Sequence, residues 1–259
     1  MKYRIIAALL MLIAVLSSCA LRDVDGGTGE KGVEAPTEAP TAAESDTDDK
    51  DRPIDYDALY KPLIDEYYKI YSGAIDVDNL PEGGYGVMEA VGSANMTGTL
   101  PDVGYLIHDL SGDGIPELII GTVPTGEAAQ HIGTMIFALY AIENGEPQFT
   151  TGSTYRLSHH VLDDGSLFYQ GSGSAAHSAY GVFDLSSDGR RLTCRDYWFR
   201  FEYEGDLYDL RTWYNTVGEM DVDVSEMLDM TMDEFSAKRR EFVEKEVILP
   251  LEHFKDYAK

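Results

Sequence analysis

Between Val103 and Tyr214 the chain alternates short runs of Val, Ile, Tyr, Phe and Thr with turn-forming clusters. "SGDG", "ENGEP", "DDGS" and "SSDGR" each set Asn or Asp near Gly, a combination that lets the backbone reverse. The runs predict strands at 103–108, 117–123, 134–142, 148–156, 160–162, 167–171, 179–185, 192–203 and 207–213. Reversals this closely spaced favour antiparallel hairpins over parallel crossovers. Two segments follow the helical period instead. In "IDYDALYKPLIDEYYKIYSGA" Leu59, Leu63, Ile64, Tyr67, Ile70 and Tyr71 recur at three- and four-residue steps and form one apolar stripe. Pro62 puts the firm start of that helix near Lys61, and Gly73 supplies a stop. Near the end of the chain Thr231 and Glu234 have capping-box spacing, with Phe235, Phe242 and Val243 on one face. That helix is expected over 232–247, ending before Pro250. The glycine-broken stretch 76–100 reads as loop with at most a short helix. The expected fold is α+β: a meandering, mostly antiparallel sheet with an N-terminal and a C-terminal helix packed on it.

The pattern changes at the start of the chain. "MKYRIIAALLMLIAVLSSCA" has a basic start (Lys2, Arg4), an apolar run from Ile5 to Leu16, and small residues before a cysteine. This is the layout of a secretory signal; the run falls short of the roughly 20 residues that a transmembrane helix needs. Residues 20–52 are rich in Glu, Asp, Thr, Ala, Gly and Pro and nearly free of large apolar side chains. Such a segment buries too little surface to offset its ordering entropy. As a flexible coil it spans roughly 30 Å, enough to lift a domain off a membrane. Three parts are therefore expected: a signal at 1–18, Cys19 with an acidic tether to 52, and a single α+β extracellular domain over 53–259.

Charge and cysteine content narrow the partners. The formal net charge is −26; removing a signal that holds Lys2, Arg4 and no acid makes it about −28. So acidic a chain is repelled by nucleic acid and by anionic lipid surfaces, and nucleic-acid binding is set aside. Cys19 closes the signal segment, which leaves Cys194 as the one cysteine of the expected domain, so no disulfide can form within it. Cys194 reads as a buried small apolar residue.

One stretch carries distinct chemistry. In "YLIHDLSGDGIPELIIG" two apolar runs flank an acidic, glycine-rich loop. With Asp109 as position 1, Ser111 is position 3, Asp113 is 5, Ile115 is 7 and Glu117 is 9. In calcium loops of the Asp-x-Asp-x-Asp-Gly kind, side chains at 1, 3, 5 and 9 and the carbonyl at 7 converge on one ion, and Gly114 permits the turn. Position 12 is Ile120 instead of a bidentate glutamate, so the loop is not a full EF-hand. The competing reading is a metal-free hairpin in which the carboxylates cap backbone amides. A structural Ca2+ held by Asp109, Ser111, Asp113, the Ile115 carbonyl and Glu117 is the expectation taken forward, because three carboxylates in one loop repel each other without a cation.

Two resemblances add to this. Leu16-Ser17-Ser18-Cys19 resembles the lipobox of bacterial lipoproteins, which implies cleavage before Cys19, diacylation of its thiol and anchoring to the outer face of the cell membrane. "VGYLIHDLSGDGIPELIIG" is similar to a segment of uncharacterised Gram-positive surface lipoproteins with a single FG-GAP-like loop. "MIFALYAIENGEP" and "LDDGSLFYQGSGSAAHSAYGVFDL" look like later parts of the same domain. Ser111 departs from the acid or amide usual at its position. The resemblance implies an exported location and is nearly silent on activity.

Other signals are weaker. "QGSGSAAHSAYG" precedes a strand, not the helix that a dinucleotide site requires. Ser172 or Ser174 with His177 lacks the Gly-x-Ser-x-Gly elbow of a nucleophile. His159 and His160 should point to opposite faces of a strand, and Asp221 to Glu226 reads as a solvated lead-in to the last helix. Tyr197, Phe199, Phe201 and Tyr203 alternate with Trp198, Arg200 and Glu202; one face is core, and the other would offer an aromatic platform for a sugar. Two functional classes result: a lipid-anchored domain that binds a glycan or a cell-surface protein, or an exported hydrolase using a carboxylate pair from separate strands. A flat aromatic-rimmed sheet favours the first and a deep pocket with facing carboxylates the second.

Overall fold

The computed structural model describes residues 54–74, 77–97, 102–126, 132–154, 156–174 and 176–257. The signal, Cys19 and the tether lie outside them. Helix α1, Tyr56–Tyr71, starts earlier than Pro62 suggested. Asp55 caps it by accepting from the Ala58 amide at 3.0 Å, and Tyr60, fully buried, donates its hydroxyl to the Pro116 carbonyl at 2.9 Å. Cap and packing together hold the turn ahead of the proline. Gly73 takes a positive φ after the helix, as its place in the sequence implied.

The stretch read as loop instead holds α2, Gly84–Thr97. Glycine normally weakens a helix interior, but here it permits contact. A Cβ on Gly86 would stand 2.3 Å from the Ser153 carbonyl, and one on Gly84 would press on Ile70. Val87 is buried in the same cluster as Ile64, Tyr67 and Ile70 of α1. Tertiary contact with α1 and the sheet outweighs the local cost.

Among the described residues eleven strands follow: β1 Val103–His108, β2 Glu117–Thr122, β3 Met135–Glu143, β4 Glu146–Gly152, β5 Leu157–Val161, β6 Leu167–Ser172, β7 Ser178–Leu185, β8 Leu192–Tyr203, β9 Asp206–Asn215, β10 Glu226–Leu228 and β11 Glu252–His253. Their order is β10-β9-β8-β7-β6-β5-β3-β2-β1-β11, with β4 also on β3. Each pairing is antiparallel. The meandering antiparallel sheet is as expected, and the architecture is α+β.

Helix α3, Met232–Val243, opens with the capping box: the Thr231 hydroxyl accepts from the Glu234 amide, and Glu234 reaches back to the Thr231 amide. Phe235, Phe242 and Val243 pack with Phe168, Tyr180 and Trp198 of the sheet. The helix stops four residues before the expected end. Val247 leaves it to donate to the Val161 carbonyl and accept from the Thr134 amide. Val247 and Leu249 thereby join the cluster of Ile119, Ile136, Leu139, Val161 and Leu167. Sheet hydrogen bonds and apolar burial stabilise that extended path over another helical turn.

Candidate functional site

The register sets out one working face of the sheet. Ser158, Gln170, Tyr180 and Trp198 are paired neighbours across β5, β6, β7 and β8, so their side chains share a face. Two-residue alternation puts His160 on that face as well, opposite Met135 of β3. Above this row α2 and α3 stand apart, and a cleft of about 630 Å³ opens between them. Its floor includes Phe137 and Tyr180, both buried. The Tyr180 hydroxyl donates to the Phe235 carbonyl at 3.1 Å, which fixes α3 against the sheet.

Polar and charged side chains from the sheet and from both helices enter this space beside the apolar ones. Arg239 of α3 donates from Nε to Oε1 of Gln170 at 2.6 Å. Gln170 Nε2 is 3.5 Å from Oε1 of Glu246. The other oxygen of Glu246 accepts from the Gly133 amide at 3.0 Å and lies 3.2 Å from Nδ1 of His160, without hydrogen-bond alignment. Burial pushes the Glu246 carboxyl up, against the pull of the Gly133 amide and Arg239. Burial likewise lowers the His160 ring to about 4. Both buried groups are thus driven toward their neutral forms behind the cleft. Arg156 and Glu89 complete the charged lining. Among the described lining residues Glu89 is the one carboxylate, so the facing pair that glycoside hydrolysis needs is not assembled here.

The β1–β2 loop shows what its carboxylates hold. Asp109 accepts from the Gly112 and Gly114 amides at 2.7 and 2.9 Å, through one oxygen each. Asp113 accepts from the Ile115 amide at 2.6 Å. Glu117, 2 % exposed, turns inward: one oxygen accepts from the Leu110 and Ser111 amides at 2.7 and 3.2 Å. Its other oxygen faces Gly189 of the β7–β8 turn, where an added Cβ would stand 2.1 Å away. Burial raises the Glu117 carboxyl, and hydrogen bonds from Ser111 and Leu110 oppose this. Ser111 is half-buried, while Asp113 and Ile115 are exposed on the far side of the turn. Among the described residues no three His, Cys, Asp or Glu side chains are grouped as a metal site requires. The calcium expectation therefore rests on residue types and spacing.

The weaker signals resolve differently. Ser174 Oγ accepts from the Ala176 and His177 amides at 3.1 Å each, and Ser172 Oγ donates to the Ser174 carbonyl. The His177 ring instead pairs with Glu202 and stacks on Phe201. The serines and the histidine are joined as a turn, not as a nucleophile and base. His159 and His160 point to opposite faces, as expected. His159 is 3.0 Å from the Gly152 carbonyl and beside Tyr169, on the face away from Glu246. Cys194 is half-buried, and burial, then Asp196 and Asp184, raise its thiol to about 11, which disfavours a nucleophilic thiolate. Asp221 caps a single turn at Val222–Val224 and Glu226 opens β10; Asp221, Asp223 and Glu226 are exposed, so the segment is a solvated lead-in to α3 that also holds a short strand.

The aromatic run is buried at its start and half-buried further on. Trp198 packs beneath α3 with Tyr180 and Phe242, while Tyr197 and Phe199 are buried on the opposite face with Ala179. Phe201 and Tyr203 are half-buried, and Tyr208 of β9 is exposed. The structure thus presents an apolar cleft with two arginines, which neither of the two readings from sequence anticipated. Compared with known proteins, the chain matches no family model, no curated protein and no solved structure. No helix among the described residues is long and apolar enough to cross a membrane.

Proposed function

We propose that this chain is a lipid-anchored extracellular binding domain. In this reading the cleft between α2 and α3 receives a small ligand, or a projecting group of a glycan or cell-surface partner. The observation that carries the reading is the cleft itself. Its volume, about 630 Å³, lies within the range of ligand sites, and mostly apolar walls with a few placed polar groups are the usual composition of such sites. The sheet row beneath and the Tyr180–Phe235 bond make it a pre-formed space.

The test is a fragment screen read at Met135 and Met232, which line the cleft from the sheet and from α3. Ligands should shift both methyl resonances, and Ser236→Trp, which fills the cleft from α3, should reduce binding by 10-fold or more. Binding that leaves both methyls and the Trp variant unaffected would place the ligand elsewhere.

The anchor is a separate proposal, supported by Leu16-Ser17-Ser18-Cys19. Cys19→Ala should move the protein from the membrane fraction to the medium, or leave an unprocessed precursor. Unchanged fractionation and processing would sink it. Calcium in the Asp109 loop is likewise a proposal. It is supported by the donor spacing, and each capping bond leaves carboxylate lone pairs for a cation.

A further inference from the structure

We infer that the ligand of the cleft carries a carboxylate on an apolar body, held by Arg239 and Arg156; this rests on the cleft being the binding site. The chain as a whole is strongly acidic, with 46 Asp and Glu against 20 Lys and Arg. The described cleft lining reverses that balance, with Arg156 and Arg239 against Glu89 alone.

The bonding of the arginines sharpens the contrast. Elsewhere on the sheet Arg190 pairs with Glu143 and Asp188, Arg195 with Asp164 and Asp184, and Arg211 with Asp209. The charge of these three is spent on carboxylates of the chain itself, whereas Arg200 of β8 donates to the Leu210 carbonyl and lies 3.5 Å from the Thr212 hydroxyl. Arg239 bonds through Nε to a neutral amide oxygen, that of Gln170, and Gln170 is held from its other end by Glu246. The guanidinium is thereby oriented while its two terminal nitrogens remain for a second partner. Arg156, exposed, makes no ion pair with a described residue. A guanidinium fork held in place, with Glu246 near enough to feel its charge but no carboxylate of a described residue bonded to it, matches a carboxylate in geometry and charge.

The rest of the lining defines the body of the ligand. Phe137, Leu157, Phe235 and the two methionines give apolar walls, and methionine adapts to irregular shapes. A purely polar anion would leave these walls without a partner. An apolar acid satisfies both ends of the cleft.

The experiment uses the full chain carrying Cys19→Ser, so that no lipid competes for the probe. Calorimetry compares 4-phenylbutyrate with 4-phenylbutyramide, and a small panel of further aryl and alkyl acids with their amides, while the Met135 and Met232 methyls report occupancy. Each carboxylate should bind about 10- to 100-fold tighter than its amide, the range for a hydrogen bond to a charged group. Arg239→Gln and Arg156→Gln should each shrink that ratio while leaving amide affinity within a few-fold. Acids and amides that shift the methyls with equal affinity would overturn the carboxylate inference and leave the cleft as a site. Methyls that respond to no member of either panel would overturn both.

Discussion

The protein should lose stability steeply as the pH falls from about 6.5 toward 4. His159 and His160 are 7 % and 5 % exposed, and burial lowers both rings from 6.5 to about 4. The folded values lie below the unfolded ones, so the unfolded chain binds more protons throughout that window. The stability contributed by the neutral rings is complete above 6.5 and is lost on acidification. At about 1.4 kcal/mol per unit, each ring accounts for up to about 3 kcal/mol. His159 carries the firmer half of the argument. Its Nδ1 faces the Gly152 carbonyl, an acceptor, so that nitrogen holds the proton and a second would have to enter beside Tyr169 in an apolar setting. His160 has Glu246 at 3.2 Å, which favours a charged ring, but the raised Glu246 carboxyl supplies less negative charge as the pH falls. Glu246 and Glu117 act in the opposite sense. Their folded values are raised, so protonation stabilises the fold on acidification and offsets part of the loss. Urea denaturation at pH 7 and pH 5 measures the net slope, and His159→Phe should flatten it. Imidazole resonances of either ring titrating near 6.5 in the folded protein would remove the basis for this expectation.

The legible and illegible parts of this fold divide along physical lines. Nine strands are visible in the sequence because runs rich in Val, Ile, Tyr, Phe and Thr stand between reversals, several of them marked by Gly with Asn or Asp. Strands β10 and β11, three and two residues long, are too short to have a period. Helix α2 escapes notice because Gly84 and Gly86 read as breakers, whereas their role is close approach to Ile70 and to the Ser153 carbonyl. Only a neighbour from elsewhere in the chain supplies that reason. The end of α3 is misread for the same cause, since Val247 is drawn off by Val161 and Thr134. The cleft is less legible still. Arg156 lies in the turn before β5, Gln170 on β6 and Arg239 on α3, and no local pattern links them. A signal was nonetheless present: in so acidic a chain, an arginine without a nearby acid stands out, and Arg156 in "STYRLSHH" is such a residue.

The Asp109 loop was fully legible in composition, and its outcome turns on Glu117. Glu117→Ala should cost about 2–4 kcal/mol, because it takes the buried partner from the half-buried Leu110 and Ser111 amides and opens a cavity against Gly189. For a domain of this size that is a fall in Tm of roughly 5–15 °C. Glu117→Gln keeps the shape and one oxygen and should cost less than half as much. These losses are expected with or without an ion, since the amide bonds are made by the protein alone. Calcium is tested separately on the wild type. If Asp109, Ser111, Asp113, the Ile115 carbonyl and Glu117 share an ion, calcium at 100 times its Kd adds about 2.7 kcal/mol by mass action. Tm then rises by roughly 5–10 °C. Magnesium should do less, because it holds its water more tightly and demands a stricter octahedron. Asp113→Ala should abolish the calcium response while costing little in chelator, since in the protein that side chain accepts one bond, from the exposed Ile115 amide. A wild-type curve unmoved by millimolar calcium and by chelator would end the calcium proposal. The loop would then be a turn held by carboxylate–amide bonds, with Glu117 joining it to the neighbouring hairpin.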